Sequence, residues 1–289
     1  MDYGIDVSNY QGSSINWNAV RGNGISFTSV LLTDGTNFLN PDATNQVNGA
    51  RSAGIACGGY HYARPVDIGS QVNTFVDQLS ARGLLDDGSL LPMLDMEADG
   101  FGDPNGFVSE FINQFRARTG TDIIVFANLN WLTHVINANL WAGDGVWIWL
   151  SLYNGDPGNL GGYSHPRVAL HQHTDQGVVP GINGYVDRDE TINGVSLTDL
   201  LVKKGDDFLM ALEEWKQERI FDRVMSMSQG VEGQSFAGDQ FVNEQGQRDA
   251  LAAQVKAISD KVDSLSSQVA ALAQQIKPTE AHSQDAAEA

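Results

Sequence analysis

The chain has 289 residues, 42% of them hydrophobic, with 31 glycines, one cysteine and a formal net charge of −19; this length holds one domain of roughly 200 residues and a smaller appendage. The lone Cys57, in the apolar run Gly-Ile-Ala-Cys-Gly-Gly, excludes an intramolecular disulfide and a cysteine-built metal cluster and reads as a small buried hydrophobe. An acidic surface repels phosphate backbones, so nucleic acid is excluded as a favoured partner, and affinity for any anionic polymer must come from a shaped cleft.

In chain order, short apolar runs predict strands at 3–7, 27–32, 56–62, 91–97, 122–127, 146–152, 168–173 and 185–187. Helical segments are expected between the earlier ones, at 41–53, 70–82, 106–118 and 130–140. Eight strands with interleaved helices predict a parallel α/β barrel. Only turns separate the last strands, so its far side is expected to be irregular. A boundary follows Lys203-Lys204-Gly205, giving a barrel over 1–205. The rest divides into an amphipathic helix at 206–228, a glycine-bearing linker at 229–248, a helix at 249–277 and a polar, disordered tail at 278–289.

Within the 249–277 helix, Leu251, Val255, Ile258, Val262, Leu265, Val269, Leu272 and Ile276 are spaced alternately by four and three residues. This heptad pattern predicts a coiled coil and a homo-oligomer. β-Branched a positions with mostly leucine at d favour a dimer, and Ile258 and Ile276 leave a trimer open. The N-terminus shows neither a basic patch nor an apolar segment of signal-peptide length, and no run reaches the roughly 20 apolar residues of a membrane span. The expectation is a product made soluble in the cytoplasm, without stable membrane insertion.

The strongest chemical signal is Leu-Pro-Met-Leu-Asp95-Met-Glu97. Residues two apart in a strand share a face, which puts these carboxylates together, about 6–7 Å apart at Cβ, with Leu94 and Met96 turned away. Each carboxylate raises the proton affinity of the other, and a protonated acid beside an ionised one is the equipment of a glycosidase. A calcium-ligand pair would use the same residues. Further acids end other predicted strands, where α/β barrels place their chemistry: Asp6, Asp34 and Asp187. Tyr60, Tyr62, Asn128, Tyr153 and Gln172 join them as candidate substrate-binding residues, while Asp189 and Glu190 read as loop charges. His171 and His173 share a strand face and His61 lies elsewhere, but no HExxH-like spacing supplies a third ligand, so neither metal nor cofactor is expected. Trp147 and Trp149 fit core packing as well as sugar stacking.

Four ordered motifs over residues 2–190 carry a resemblance: Gly-Ile-Asp-Val-Ser-Asn-Tyr-Gln-Gly, Gly-Tyr-His-Tyr-Ala-Arg-Pro, Leu-Pro-Met-Leu-Asp-Met-Glu and Pro-Gly-Ile-Asn-Gly-Tyr-Val-Asp. Together they resemble glycoside hydrolase family 25, the Chalaropsis-type lysozymes. The resemblance implies an irregular (β/α)5β3 TIM-like barrel and an N-acetylmuramidase cutting the β-1,4 bond of bacterial peptidoglycan. It also implies Glu97 as general acid, and Asp95 either as stabiliser of developing positive charge or as the group positioning the substrate's 2-acetamido arm. Asp6 and Asp187 then line the same pocket.

Three positions depart from the family's pattern. The second strand ends in Leu-Leu-Thr-Asp34-Gly instead of a lysine-bearing run closing in Glu-Gly; Phe126 replaces a tyrosine; and His171-Gln172-His173 stands for Trp-Gln-Tyr. The expected setting is a phage endolysin, released onto its host's wall by a separate membrane lesion, and Phe-Leu-Met-Ala-Leu after the barrel resembles linkers in phages of actinobacteria. The alternative is a structural or glycan-binding virion protein with an inactive barrel. A chitinase-like hydrolase would show a longer acidic run before the glutamate. The expected carboxylate spacing argues for retention or acetamido participation, since inversion needs roughly 6.5–9.5 Å between carboxyl groups.

Overall fold

The computed structural model describes residues 1–203. The expected helix, linker, coiled coil and tail beyond the barrel, and with them the oligomer, lie outside the described residues. The first half of the barrel contains β1 (Tyr3–Val7), α1 (Trp17–Gly22), β2 (Ile25–Asp34), β3 (Phe38–Leu39), α2 (Ala43–Ser52), β4 (Ala56–Tyr62) and α3 (Ile68–Ser80). The second half contains β5 (Met93–Asp95), α4 (Pro104–Thr119), β6 (Ile123–Asn128), α5 (Leu129–His134), β7 (Val146–Ser151), β8 (Val168–Gly177) and β9 (Val186–Thr191). Among the described residues no helix is long and apolar enough to cross a membrane.

The sheet runs β1-β9-β8-β7-β6-β5-β4-β2 and closes through a β1–β2 pairing, while the two-residue β3 hangs antiparallel on the end of β2. Seven barrel strands are parallel to their neighbours, and β9 alone runs antiparallel to both β8 and β1. Helices separate the early strands, and among the described residues no α-helix follows β7, which matches the expected regular and irregular sides. At the closure Gly4 faces Phe27 in register, and a Cβ on Gly4 would run into the fully buried Phe27 ring. Glycine there lets β1 approach β2 over a large side chain.

Local chemistry explains where the helices start and stop. Asp103 caps α4 by accepting from Gly106 N at 2.9 Å, Pro104 occupies its first turn, and Gly120 ends it at φ 64°. Asp67 caps α3 in the same way, through Ser70 N at 2.7 Å. The unpredicted α1 is only six residues long, too short for a helical period to show. Strand β5 stops at Asp95, so Glu97 lies beyond it and not within it as expected; even so, Met96 N–H bonds Phe126 O at 2.9 Å and prolongs the extended course by one residue.

Two apolar cores flank the barrel wall. The outer one packs α2, α3 and α4 against the strands and includes Val47, Val72, Phe75, Phe111, Phe115, Leu94 and Met96. The inner one is the barrel's own filling: Phe27, Leu31, Tyr60, Met93, Ile124, Phe126, Trp149 and Leu170, closed at the N-terminal end of the strands by Leu90, Leu91, Leu200 and Val202. His61 belongs to the outer layer, stacked on Phe111, with its ring nitrogens bound to Thr33 Oγ1 (2.7 Å) and Gln71 Oε1 (3.0 Å). Burial holds its imidazole down at about 4, so it is neutral at physiological pH.

Where helices are missing, the segment between β7 and β8 covers the wall. Fully buried Glu190, on the outward face of β9, accepts from Gly158 N at 2.9 Å. The same N–H also reaches His171 Nδ1 (3.1 Å), and His171 Nε2 donates to Leu152 O (3.1 Å). A carbonyl can only accept, which fixes the hydrogen on Nε2. His173 Nδ1 lies close against Glu190 Oε2 without hydrogen-bond alignment. One expectation is corrected here: Glu190 is a buried strand residue and not a loop charge. The His171–His173 pair, on one strand face as expected, turns onto that carboxylate. Leaving a buried hydrogen-bonding group without its partner typically costs about 1–3 kcal/mol. Glu190→Ala is therefore expected to lower stability by that order in chemical denaturation, and to raise the amide hydrogen-exchange rate at Gly158 more than at core amides of β6.

Candidate active site

At the C-terminal end of the parallel strands the barrel opens into a cavity of about 520 Å³. Asp6, Asp95, Glu97 and Asp187 all line it, together with Asp34, Tyr60, Tyr62, Tyr153 and Gln172. Nine of the ten residues singled out from the sequence thus meet at one site. Asn128 does not reach it, because its side chain caps α5 by accepting from Trp131 N at 3.0 Å.

The register explains the convergence. Asp6, one residue before the end of β1, stands opposite Asp187 of β9, and Asp95 ends β5 between Tyr62 of β4 and Phe126 of β6. Asp187 was expected to end a strand, yet it stands second in β9. The reversed direction of β9 brings its start to the rim where the other strands finish. Asp189, read from the sequence as a loop charge, follows two residues later on the same inward face. It is 1% exposed, and its Oδ1 accepts from Trp149 Nε1 at 3.1 Å.

Desolvation dominates the electrostatics. Asp6 and Asp95 are nearly buried, and burial first, then neighbouring acids, lifts their proton affinities well above the usual carboxylate range. For Asp6 the neighbour is Asp187, opposed by a hydrogen bond from Gln172 Nε2 at 2.6 Å. For Asp95 the neighbour is Glu97. Glu97 is more accessible and is raised by burial and by Asp187; Asp187 itself is pushed up to about 6 by burial and Asp175. Tyr153 and Tyr62 stay phenols, the latter raised to about 12 by burial and the adjacent acids, so both remain hydrogen-bond donors.

Several lining residues were not anticipated: Arg64, Phe38, Ser8, Asn9 and the 90% exposed Tyr10. Arg64 and Tyr10 stand inside motifs already quoted, which was the available signal. Arg64 forms a two-pronged ion pair with Asp34 (2.6 and 2.7 Å) and stacks over the Tyr62 ring at 4.4 Å. Both Asp34 oxygens are thereby engaged, and the Arg64–Asp34 pair is a neutral wall beside the acids. Phe126 presents an apolar face to the cavity and meets Trp149 edge-on at 6.3 Å.

Closed barrel, acid-lined mouth and ordered motifs are together the plan of a sugar-cleaving enzyme, and comparison with known proteins agrees. Residues 5–182 match the model of glycosyl hydrolases family 25, and the chain belongs to that family of glycoside hydrolases. It is 28% identical over 204 residues to Lysozyme M1 of Streptomyces globisporus, covering 65% of this chain and 66% of that protein. It is also 27% identical to the N,O-diacetylmuramidase of Chalaropsis sp, over 63% of this chain and 92% of that one. The crystal structure of a bacterial lysozyme from Streptomyces coelicolor superposes with a TM-score of 0.57 at 25% identity, over 71% of this chain and 98% of the other. The catalytic domain of endolysin ply40 from a Listeria monocytogenes bacteriophage shares the fold at a TM-score of 0.59 and 22% identity, over 70% and 98% of the two chains.

The raised carboxyls set how stability depends on pH. A group that holds its proton more tightly when folded stabilises the fold below its unfolded pKa, and that contribution is lost as pH rises through the folded value. Asp187, at about 6 against an ordinary 3.8, places this loss between roughly pH 4 and 7. The expected outcome is a melting temperature that falls from pH 5 to 7.5, with a smaller fall in Asp187→Asn. Scanning calorimetry across that range provides the check.

Proposed function

We propose that the protein is an N-acetylmuramidase that cleaves the β-1,4 bond between N-acetylmuramic acid and N-acetylglucosamine in bacterial peptidoglycan. The observation that carries this reading is the convergence of Asp6, Asp95, Glu97 and Asp187 in one open cavity, all with raised proton affinity. The family resemblance assigns the proton to Glu97, and its environment suits the role. It is accessible enough to touch a glycosidic oxygen, and burial, then Asp187, makes it hold its proton more tightly than a free glutamate.

In this mechanism Glu97 protonates the departing oxygen as the C–O bond breaks. Asp95 sits deeper, 6% exposed in the cavity wall, where its carboxylate is placed for the sugar's acetamido N–H or for developing positive charge. Tyr60, Tyr62 and Tyr153 supply phenolic donors and flat apolar faces around the sugar. Phe126 offers no hydroxyl, so that side of the ring is held by contact alone. Host-cell lysis by a phage is the proposed setting, supported by the resemblance of the segment after the barrel to phage linkers.

Purified peptidoglycan suspensions provide the first test. The wild type is expected to clear them, and Glu97→Gln to lower the rate by at least about 10³-fold while leaving the fold intact; a variant that clears walls at the wild-type rate would overturn the assignment. Asp187→Asn probes the electrostatics separately. Asp187 raises the proton affinity of Glu97, so neutralising it should let Glu97 ionise earlier and move the alkaline limb of the pH–rate profile to lower pH. An unchanged limb would detach Asp187 from the acid.

A further inference from the structure

Beneath the cavity floor lies an acid that the reaction does not touch. Asp189 projects into the barrel two residues after Asp187, in a layer that contains Trp149, Phe27 and Leu170, and it is directly cross-strand from Gln172 of β8. One of its oxygens, Oδ1, accepts from Trp149 Nε1 at 3.1 Å, while Oδ2 is buried with no donor. The paired Gln172 shows the matching defect. Its Nε2 donates to Asp6 Oδ2 at 2.6 Å, and its Oε1 is buried and unpartnered. Two unpartnered acceptors on paired residues become one satisfied bond if a hydrogen stands between them.

We propose that Asp189 is a protonated, neutral acid whose Oδ2–H donates to Gln172 Oε1, fixing the orientation of the Gln172 amide and, through it, the charge on Asp6. The polar path runs from Trp149 Nε1–H to Asp189 Oδ1, from Asp189 Oδ2–H to Gln172 Oε1, and from Gln172 Nε2–H to Asp6 Oδ2. Asp189 is a positioning residue, since it meets neither substrate nor the reacting bond.

The surroundings favour the neutral form. Burial first, then the neighbouring acids Asp6, Asp187 and Glu190, raises the proton affinity of Asp189, against the single hydrogen bond from Trp149. Among the described residues around Asp6, Asp187, Glu97, Asp95 and Tyr60 likewise bring no positive charge. The amide donor of Gln172 therefore holds the proton affinity of Asp6 down against burial and the neighbouring acids. An amide can turn end for end. If Asp189 did not engage its oxygen, Gln172 could present Oε1 to Asp6 instead, and Asp6 would then have to carry a proton.

The catalytic consequence rests on the muramidase reading, whereas the protonation of Asp189 can be tested without it. Infrared difference spectra of the full chain, wild type minus Asp189→Asn at neutral pH, should show a protonated-carboxyl C=O band lost in the variant; absence of that band would overturn the proposal. Asparagine can accept from Trp149 and donate to Gln172, so Asp189→Asn should keep kcat within about threefold and leave the acid limb of the pH–rate profile in place. With ionised Asp6 taken as the group that sets the acid limb, Asp189→Leu and, independently, Gln172→Leu break the path, make Asp6 easier to protonate and should move that limb up by about one pH unit, with kcat about tenfold lower below it. Gln172→Leu serves if Asp189→Leu does not fold. An Asp189→Asn limb displaced like that of Asp189→Leu, or limbs unmoved in both leucine variants, would also overturn it. A wild type inactive on peptidoglycan would sink the proposed function and leave the infrared result to decide this inference.

Discussion

The site depends on the cost of keeping carboxylates out of water beside one another. Four acids at the barrel mouth and one beneath them have little to offset their charge, so burial and mutual repulsion raise the proton affinity of each. The cation in the cavity wall, Arg64, is already committed to Asp34. Burial within the closed wall, then crowding by neighbouring acids, is what raises the proton affinity of these groups.

Strand β9 makes the crowding possible. As a parallel strand it would deliver its C-terminal residues to the rim; reversed, it delivers Asp187 opposite Asp6 and sets Asp189 one layer down against Gln172. The reversal also removes the need for a crossover helix before it, which leaves the outer wall there to be covered by the 152–165 segment and the Glu190 cluster. The irregular side of the barrel and the acidity of its mouth therefore share a cause.

Much of this was legible in advance because it is periodic or local. The apolar runs of β1, β4 and β7 and the capped helices α3 and α4 stand near their expected places, and nine of ten candidate residues meet in the cavity. What escaped was short or non-local. Helix α1 and strand β3 are too brief to leave a period, and Asn128 was read as a ligand when its nearest need was the helix it begins. Asp189 and Glu190 looked like loop charges because charged residues seldom occupy strand interiors. Their burial depends on Trp149, Gly158 and the histidines, all distant in sequence, which no local pattern announces.

The 152–165 segment has two jobs at once. At one end Tyr153 forms part of the cleft wall; a few residues on, Gly158 ties the same segment to the barrel's outer face. On the helical side, a loop can lengthen or change while a helix behind it keeps the wall covered. Here there is no such division of labour. Any insertion or deletion between β7 and β8 changes what the sugar meets and what shields Glu190 together, so this arc is the one along which substrate preference and folding stability must evolve as a single trait.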